Sequence, residues 1–193
     1  MLIGVAICIR WLDAPIALTF LTNSDRLSGL GTGLGTMVLV SGEVAVLTAI
    51  AIVRMMKGNL AAFYKAVFVA CCASLSAFVA NDYILKFIFG RQRPVDFLQA
   101  PTTQVFHFFQ GDHQTSFPSG HMVMATAFAV VMIRLQPRTR PILIILLCLG
   151  ALALLMGDWH FLGDVVAGTF VGATVGFVAA ELWIEHIKHH SRT

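Results

Sequence analysis

Charge is scarce in this sequence. Lys, Arg, Asp and Glu make up 12% of its 193 residues, where a soluble domain carries about a quarter. Hydrophobic residues fill 58% of the chain, and its mean hydropathy is +0.81. That balance excludes an ordinary water-soluble domain. It leaves an all-α, polytopic bundle of membrane helices.

Internal repeats, low-complexity tracts and linker-like stretches are missing as well, so residues 1–193 read as one membrane-embedded unit. No C-x-x-C spacing occurs. Cys8, Cys71, Cys72 and Cys148 all lie in apolar runs and read as buried small hydrophobes, not as disulfides or ligands. The opening MLIGVAICIR has no basic leader, and Arg10 and Asp13 interrupt the apolar run, so a signal peptide is not expected. Leu2 to Leu21 reads either as a first span with Arg10 and Asp13 paired at i, i+3, or as an interfacial helix restarted at Pro15.

Five further apolar segments are long enough to cross the hydrocarbon, giving about six helices in all. They run approximately Met37–Val53, Ala61–Leu85, Ser119–Ile133, Pro141–Met156 and Val165–Trp183. If they alternate, Arg54, Lys57, Lys65, Arg134, Arg138, Arg140, Lys188 and Arg192 share one side, which the positive-inside rule makes cytoplasmic. The opposite face then gathers Lys86, Arg91 and Arg93 with several Asp and His residues. Cations have no topological role there, and an anionic ligand would explain them.

Some polar residues take structural readings. Glu43 and Glu181 are expected to make interior polar contacts. The glycine-rich GLGTGLGT, from Gly29 to Thr36, resembles a phosphate loop, yet without a preceding strand it reads as a flexible helix start. Gly168, Gly172 and Gly176 form a small-xxx-small face on the last span and predict close helix packing.

Three clusters at the helix ends opposite the basic face carry the chemistry. In the first, Lys86 lies four residues after Asp82 and could simply pair with it. Arg91 and Arg93 follow, and with Lys86 they have the forks and point charge of a phosphate clamp. In the second, Pro118, Ser119 and Gly120 open a helix whose free N–H groups and serine hydroxyl suit an anion, with His121 beside it. In the third, MGDWHFLGD, His160 and Asp164 are four apart and share a helical face. A carboxylate there can accept the Nδ1 hydrogen and leave Nε2 as a nucleophilic lone pair. Cations, an anion-binding helix start and two histidines together are the inventory for phosphoryl transfer through a phosphohistidine.

Lys86, Arg93 and Pro94 fit K-x6-R-P; Pro118 to His121 spell P-S-G-H; His160 and Asp164 fit H-x3-D. In order and placement these motifs resemble the membrane-bound type 2 phosphatidic acid phosphatases, of the superfamily that includes vanadium haloperoxidases. The resemblance covers about residues 61–183. It implies a bundle of about six helices hydrolysing lipid phosphates or diphosphates without a metal or other cofactor. It also implies roles: His160 as nucleophile, Asp164 orienting it, and His121 as acid and then base. Lys86, Arg93, Ser119 and Gly120 would hold the phosphoryl oxygens. The implied partners are a lipid phosphate and the bilayer, with no nucleic acid, and the implied setting is a bacterial inner membrane with the site on its non-cytoplasmic face.

One position departs from the pattern. The third motif usually begins S-R, with the arginine six residues before the histidine, and here Ala153 and Leu154 stand in those places. Arg91 could supply the lost charge, the clamp could be weaker or serve another headgroup, or the chain could be a non-catalytic binder of lipid phosphates. Asp158 has no place in the motif and could answer Lys86 or Arg91, or cap the last helix. A metal held by His121, His160 and Asp164 is a third reading, opposed by the three neighbouring cations. The phenylalanines between Val95 and Phe117 read as interfacial anchors, or as an entrance for an acyl or polyprenyl tail.

Overall fold

The computed structural model describes residues 2–20, 31–99, 106–112 and 115–190. Among them seven helices and no strand are found. Helix α1 joins Leu2–Ile7 to Asp13–Phe20 through a π-turn at Cys8–Leu12. It is not restarted at Pro15; the proline falls in the first turn after the π-turn, where a missing N–H is best tolerated. Helix α2 is Gly31–Lys57, and α3 runs from Ala62–Ala80 through a π-turn at Asn81–Leu85 to Lys86–Phe89. A short α4 (Pro94–Gln99) precedes α5 (Gly120–Leu135), α6 (Arg140–Met156) and α7 (Leu162–His190).

Five of these helices are long and apolar enough to cross a membrane, including the N-terminal one over Ile3–Phe20. The chain is an integral membrane protein. Helix α5 has only 16 residues, about 24 Å at 1.5 Å per residue, and it sits at the centre against α3, α6 and α7. Helices α2 and α6 lie outermost, and Ile142, Ile145, Leu146 and Leu149 of α6 remain exposed for lipid. Cys148 shares that outer exposure, contrary to its reading as a buried residue, while Cys8 and Cys71 are buried.

The α5–α7 seam fixes the architecture. Gly168, Gly172 and Gly176 face α5 so closely that a Cβ on them would strike the carbonyls of Ser119, Val123 and Ala127. Close backbone approach is what small residues on a membrane helix permit. Glu43 accepts a hydrogen bond from Ser74 (2.8 Å), the interior contact expected of it, whereas Glu181 pairs with Arg134 at the exposed surface and not in the interior.

Candidate active site

All three motif clusters come to one end of the bundle, where α3, α5 and α7 meet. Beyond α3, Gly90 takes a left-handed φ of 51° and turns the chain back. Residues 106–112 then run along the α3 terminus: the N–H of His107 donates to Gly90 (3.0 Å) and that of Phe109 to Ile88 (2.9 Å). Ser116 continues this docking, its N–H donating to Arg91 (2.8 Å) and its hydroxyl to Gln92 (2.8 Å). The segment thereby presents the Ser116 carbonyl to the turn bearing His160.

His160 is buried, with 8% exposure. Its Nδ1 lies 3.0 Å from the Ser116 carbonyl and 3.8 Å from Asp164 Oδ2. A carbonyl only accepts, so the proton belongs on Nδ1 and Nε2 keeps the lone pair. The carboxylate contributes its charge from just outside hydrogen-bonding distance. The expected pairing of His160 with Asp164 is therefore shared, and the backbone of Ser116 fixes the tautomer. A carbonyl leaves no mark in residue type, so no sequence signal could have found it.

Asp164 is fully buried. Its Oδ2 accepts from the Phe161 N–H (2.9 Å) and its Oδ1 from Arg91 Nη1 (2.6 Å). Arg91 Nη2 reaches Asp13 Oδ2 at 2.7 Å, and Asp13 Oδ1 accepts the Gly163 N–H at 2.8 Å. The guanidinium also lies over the Phe161 ring, 4.2 Å from its centroid, with Phe106 at 5.1 Å. Two readings change here. Asp13 pairs with Arg91 and not with Arg10. Arg91, offered as a substitute for the missing phosphate cation, has both terminal nitrogens on carboxylates and braces Asp164. A lone carboxylate in an apolar N-terminal run signalled that Asp13 needed a partner, though not which one.

At the head of α5, the Ser119 N–H donates to the Asp164 carbonyl (3.1 Å), tying the starts of α5 and α7 together. The Ser119 side chain makes no capping bond. Its hydroxyl is buried without a protein partner, so a plain N-cap does not account for it. Asn81 Nδ2 steadies the same corner by donating to the Pro118 carbonyl (3.3 Å). Gly120 is buried beside Asn81 and Phe78.

His121 follows on the first turn, its ring centroid 6.1 Å from that of His160 and 6.3 Å from that of Trp159. Its Nε2 lies 3.3 Å from the Thr36 hydroxyl of α2. A Cβ on Gly35 would come within 3.2 Å of the same nitrogen. The glycine-rich start of α2 thus does more than loosen a helix: it lets α2 approach His121 and deliver Thr36. Sequence reading missed that contact.

Lys86 is 8% exposed, pairs with Asp82 at 2.6 Å as its spacing allowed, and lies close enough to His121 to act on it electrostatically. Arg93 pairs with Asp96 at 3.0 Å and keeps 27% of its side chain exposed. Helix α4 brings it to the same end of the bundle, held there by Phe97 against Phe161 with centroids 6.0 Å apart. Leu154 is 5% exposed and packs with Met122, Val165 and Trp159, so an apolar cluster occupies the place where the resemblance expects a cation.

Asp158, 2% exposed with a φ of 51°, forms the turn after α6. Aspartate tolerates that left-handed position better than most residues. Of the loop aromatics, Phe106 and Phe117 pack together (5.7 Å), whereas Phe108 and Phe109 are exposed. His113 lies outside the described residues. Among the described residues no group of three or more His, Cys, Asp or Glu is arranged to hold a metal.

A family model of the PAP2 superfamily matches residues 63–187, well over half of the chain, and spans all three motifs. The chain belongs to the PAP2 superfamily. No curated protein and no solved structure gave a match. Membership points to a phosphatase acting on phosphate esters. Asp13 and Thr36 lie before the matched segment, so family resemblance alone could not have pointed to them.

Proposed function

We propose that this protein hydrolyses a phosphate monoester or diphosphate of a membrane lipid through a phosphohistidine on His160. The observation that carries the reading is the fixed tautomer of His160, with Nδ1 held at the Ser116 carbonyl (3.0 Å) and the His121 ring 6.1 Å away. Nε2 attacks phosphorus, the bond to the lipid oxygen breaks, and His121 passes a proton to that oxygen. Water then loses a proton to His121, its oxygen attacks phosphorus, and the P–N bond breaks to release phosphate. The charge that Asp164 holds beside the ring stabilises the cationic imidazole formed by the attack.

Lys86, Arg93, the Ser119 hydroxyl and the Gly120 N–H are the groups proposed to hold the phosphoryl oxygens. Buried Ser119 Oγ supports this, because a buried hydroxyl without a partner is costly unless a ligand uses it. A site at a helix-bundle end suits a headgroup phosphate, and phosphatidic acid, phosphatidylglycerol phosphate, undecaprenyl diphosphate and lipid A phosphates share that chemistry. By the distribution of basic residues, the site faces away from the cytoplasm of a bacterial inner membrane.

Leu154 favours a second reading: with an apolar cluster where a cation is expected, the chain would bind lipid phosphates without turning them over. One experiment separates the two. Phosphate release from a panel of long-chain lipid phosphates, run in chelator, should be robust for the wild type. His160→Ala should lower it on the order of 10⁴-fold or more. Binding without release by the wild type would establish the second reading, and near-normal turnover by His160→Ala would remove the first.

A further inference from the structure

At the end of the bundle remote from His160, a cavity of about 670 Å³ opens between α2, the first turns of α3 and the last turns of α7. That volume is in the range of small-molecule and cofactor pockets. Its polar lining includes Arg54, Lys65, His186 and His190, and among the described residues no carboxylate lines it. Phe68 and Trp183 supply apolar walls. Glu181 and Glu185, each two residues from Trp183 along α7, are not among the lining residues, and Glu181 is held by Arg134.

Helix length sets the depth of this cavity. Helix α7 has 29 residues, about 43 Å at 1.5 Å per residue, against about 30 Å of hydrocarbon. Its final turns therefore reach the headgroup layer. There Trp183 stacks on His186 (5.8 Å between centroids, planes at 26°) and His186 neighbours His190 (4.2 Å). Arg54 donates to the Gly58 carbonyl, which folds its guanidinium over the end of α2 beside the cavity.

We propose that this cavity binds one anionic phospholipid of the adjacent leaflet, its phosphodiester between Arg54 and Lys65 and its chains along Phe68 and Trp183. Two cations, with no carboxylate among the described lining residues, select an anion. The apolar walls select one carrying hydrocarbon, which a free phosphate ion lacks. Basic pockets between membrane helices have this chemistry. A lipid seated here would brace α2, the helix that carries Thr36 to His121 and whose apolar window is only 6% buried. The inference is independent of the phosphatase reading.

Native mass spectrometry of the full chain, titrated with mixed phosphatidylcholine and phosphatidylglycerol, tests it. The wild type should retain one phosphatidylglycerol in preference to phosphatidylcholine. Arg54→Gln/Lys65→Gln should weaken that retention about tenfold or more. Arg138→Gln/Arg140→Gln, which removes equal charge at the same end outside the cavity, should leave it intact, as should Lys86→Gln at the other end.

Any of five results with these variants would overturn the proposal. They are a wild type with no preference, equal loss in Arg138→Gln/Arg140→Gln, loss in Lys86→Gln, unchanged retention in Arg54→Gln/Lys65→Gln, and equal competition by inorganic phosphate. The third would place the lipid at the phosphoryl site. If the double variant at the cavity does not fold, each single change should weaken retention about threefold, and unchanged retention in both would equally overturn it.

Discussion

Arg91 lies between two carboxylates from opposite ends of the sequence, Asp13 at 2.7 Å and Asp164 at 2.6 Å, and all three side chains are almost entirely buried. Breaking such a pair leaves an uncompensated charge in a low-dielectric interior, which costs far more than an exposed ion pair could. Asp13→Ala should therefore lower stability by about 3 kcal/mol and depress turnover, because Arg91 would no longer hold Asp164 in place. Asp13→Asn keeps an acceptor for the Gly163 N–H and should lose less stability. Thermal unfolding and turnover of the two variants side by side check this, and an unchanged Asp13→Ala would contradict it. The charge of Asp13 was conspicuous in the sequence, but its partner was not, since 78 residues separate it from Arg91. Spacing arguments reach one helical turn, and this contact arises from how α1 is laid against the head of α7.

Helix α5 is short and central, and it positions the site through α7. Gly172 faces the Val123 carbonyl across their seam, so Gly172→Val would force two backbones apart. Overpacking against backbone that cannot move away should cost about 3 kcal/mol and cut phosphate release, since Ser119 and Asp164 are tied across the same seam. Gly150 of α6 faces open space, and Gly150→Val should fall within about 0.5 kcal/mol of wild type. Heat-induced unfolding of both variants reads the contrast, and equal stability would argue against the seam. This element was legible in the sequence because glycines four apart on an apolar helix carry a packing signal of their own. The loop that presents the Ser116 carbonyl was not, because its work is done by backbone hydrogen bonds to residues 87–92. Nor was the role of Thr36, whose neighbouring glycines signalled only a loose helix start.

At the scale of the whole molecule, polarity divides the bundle into two unlike ends. One gathers His121, His160, Lys86 and Arg93. The other gathers Arg54, Lys57, Lys65, Arg134, Arg138 and Arg140, and the alternation of α2, α3, α5, α6 and α7 keeps the two apart. Hydropathy and the count of spans made this division readable from sequence, since both depend on composition and not on contacts. The positive-inside rule then predicts the orientation. With the native cysteines replaced, Asp112→Cys should react with an impermeant maleimide on intact cells, and Asn59→Cys only after permeabilisation. The reverse pattern would place the site on the cytoplasmic face.

The polar end exists, on this account, to form and break a phosphorus–nitrogen bond at His160. Rapid quenching of the enzyme during turnover of a phosphorus-labelled lipid phosphate tests that most directly. The account predicts an acid-labile, alkali-stable label on His160 that is absent from His160→Ala. Label on another residue, or label that persists in His160→Ala, would contradict it.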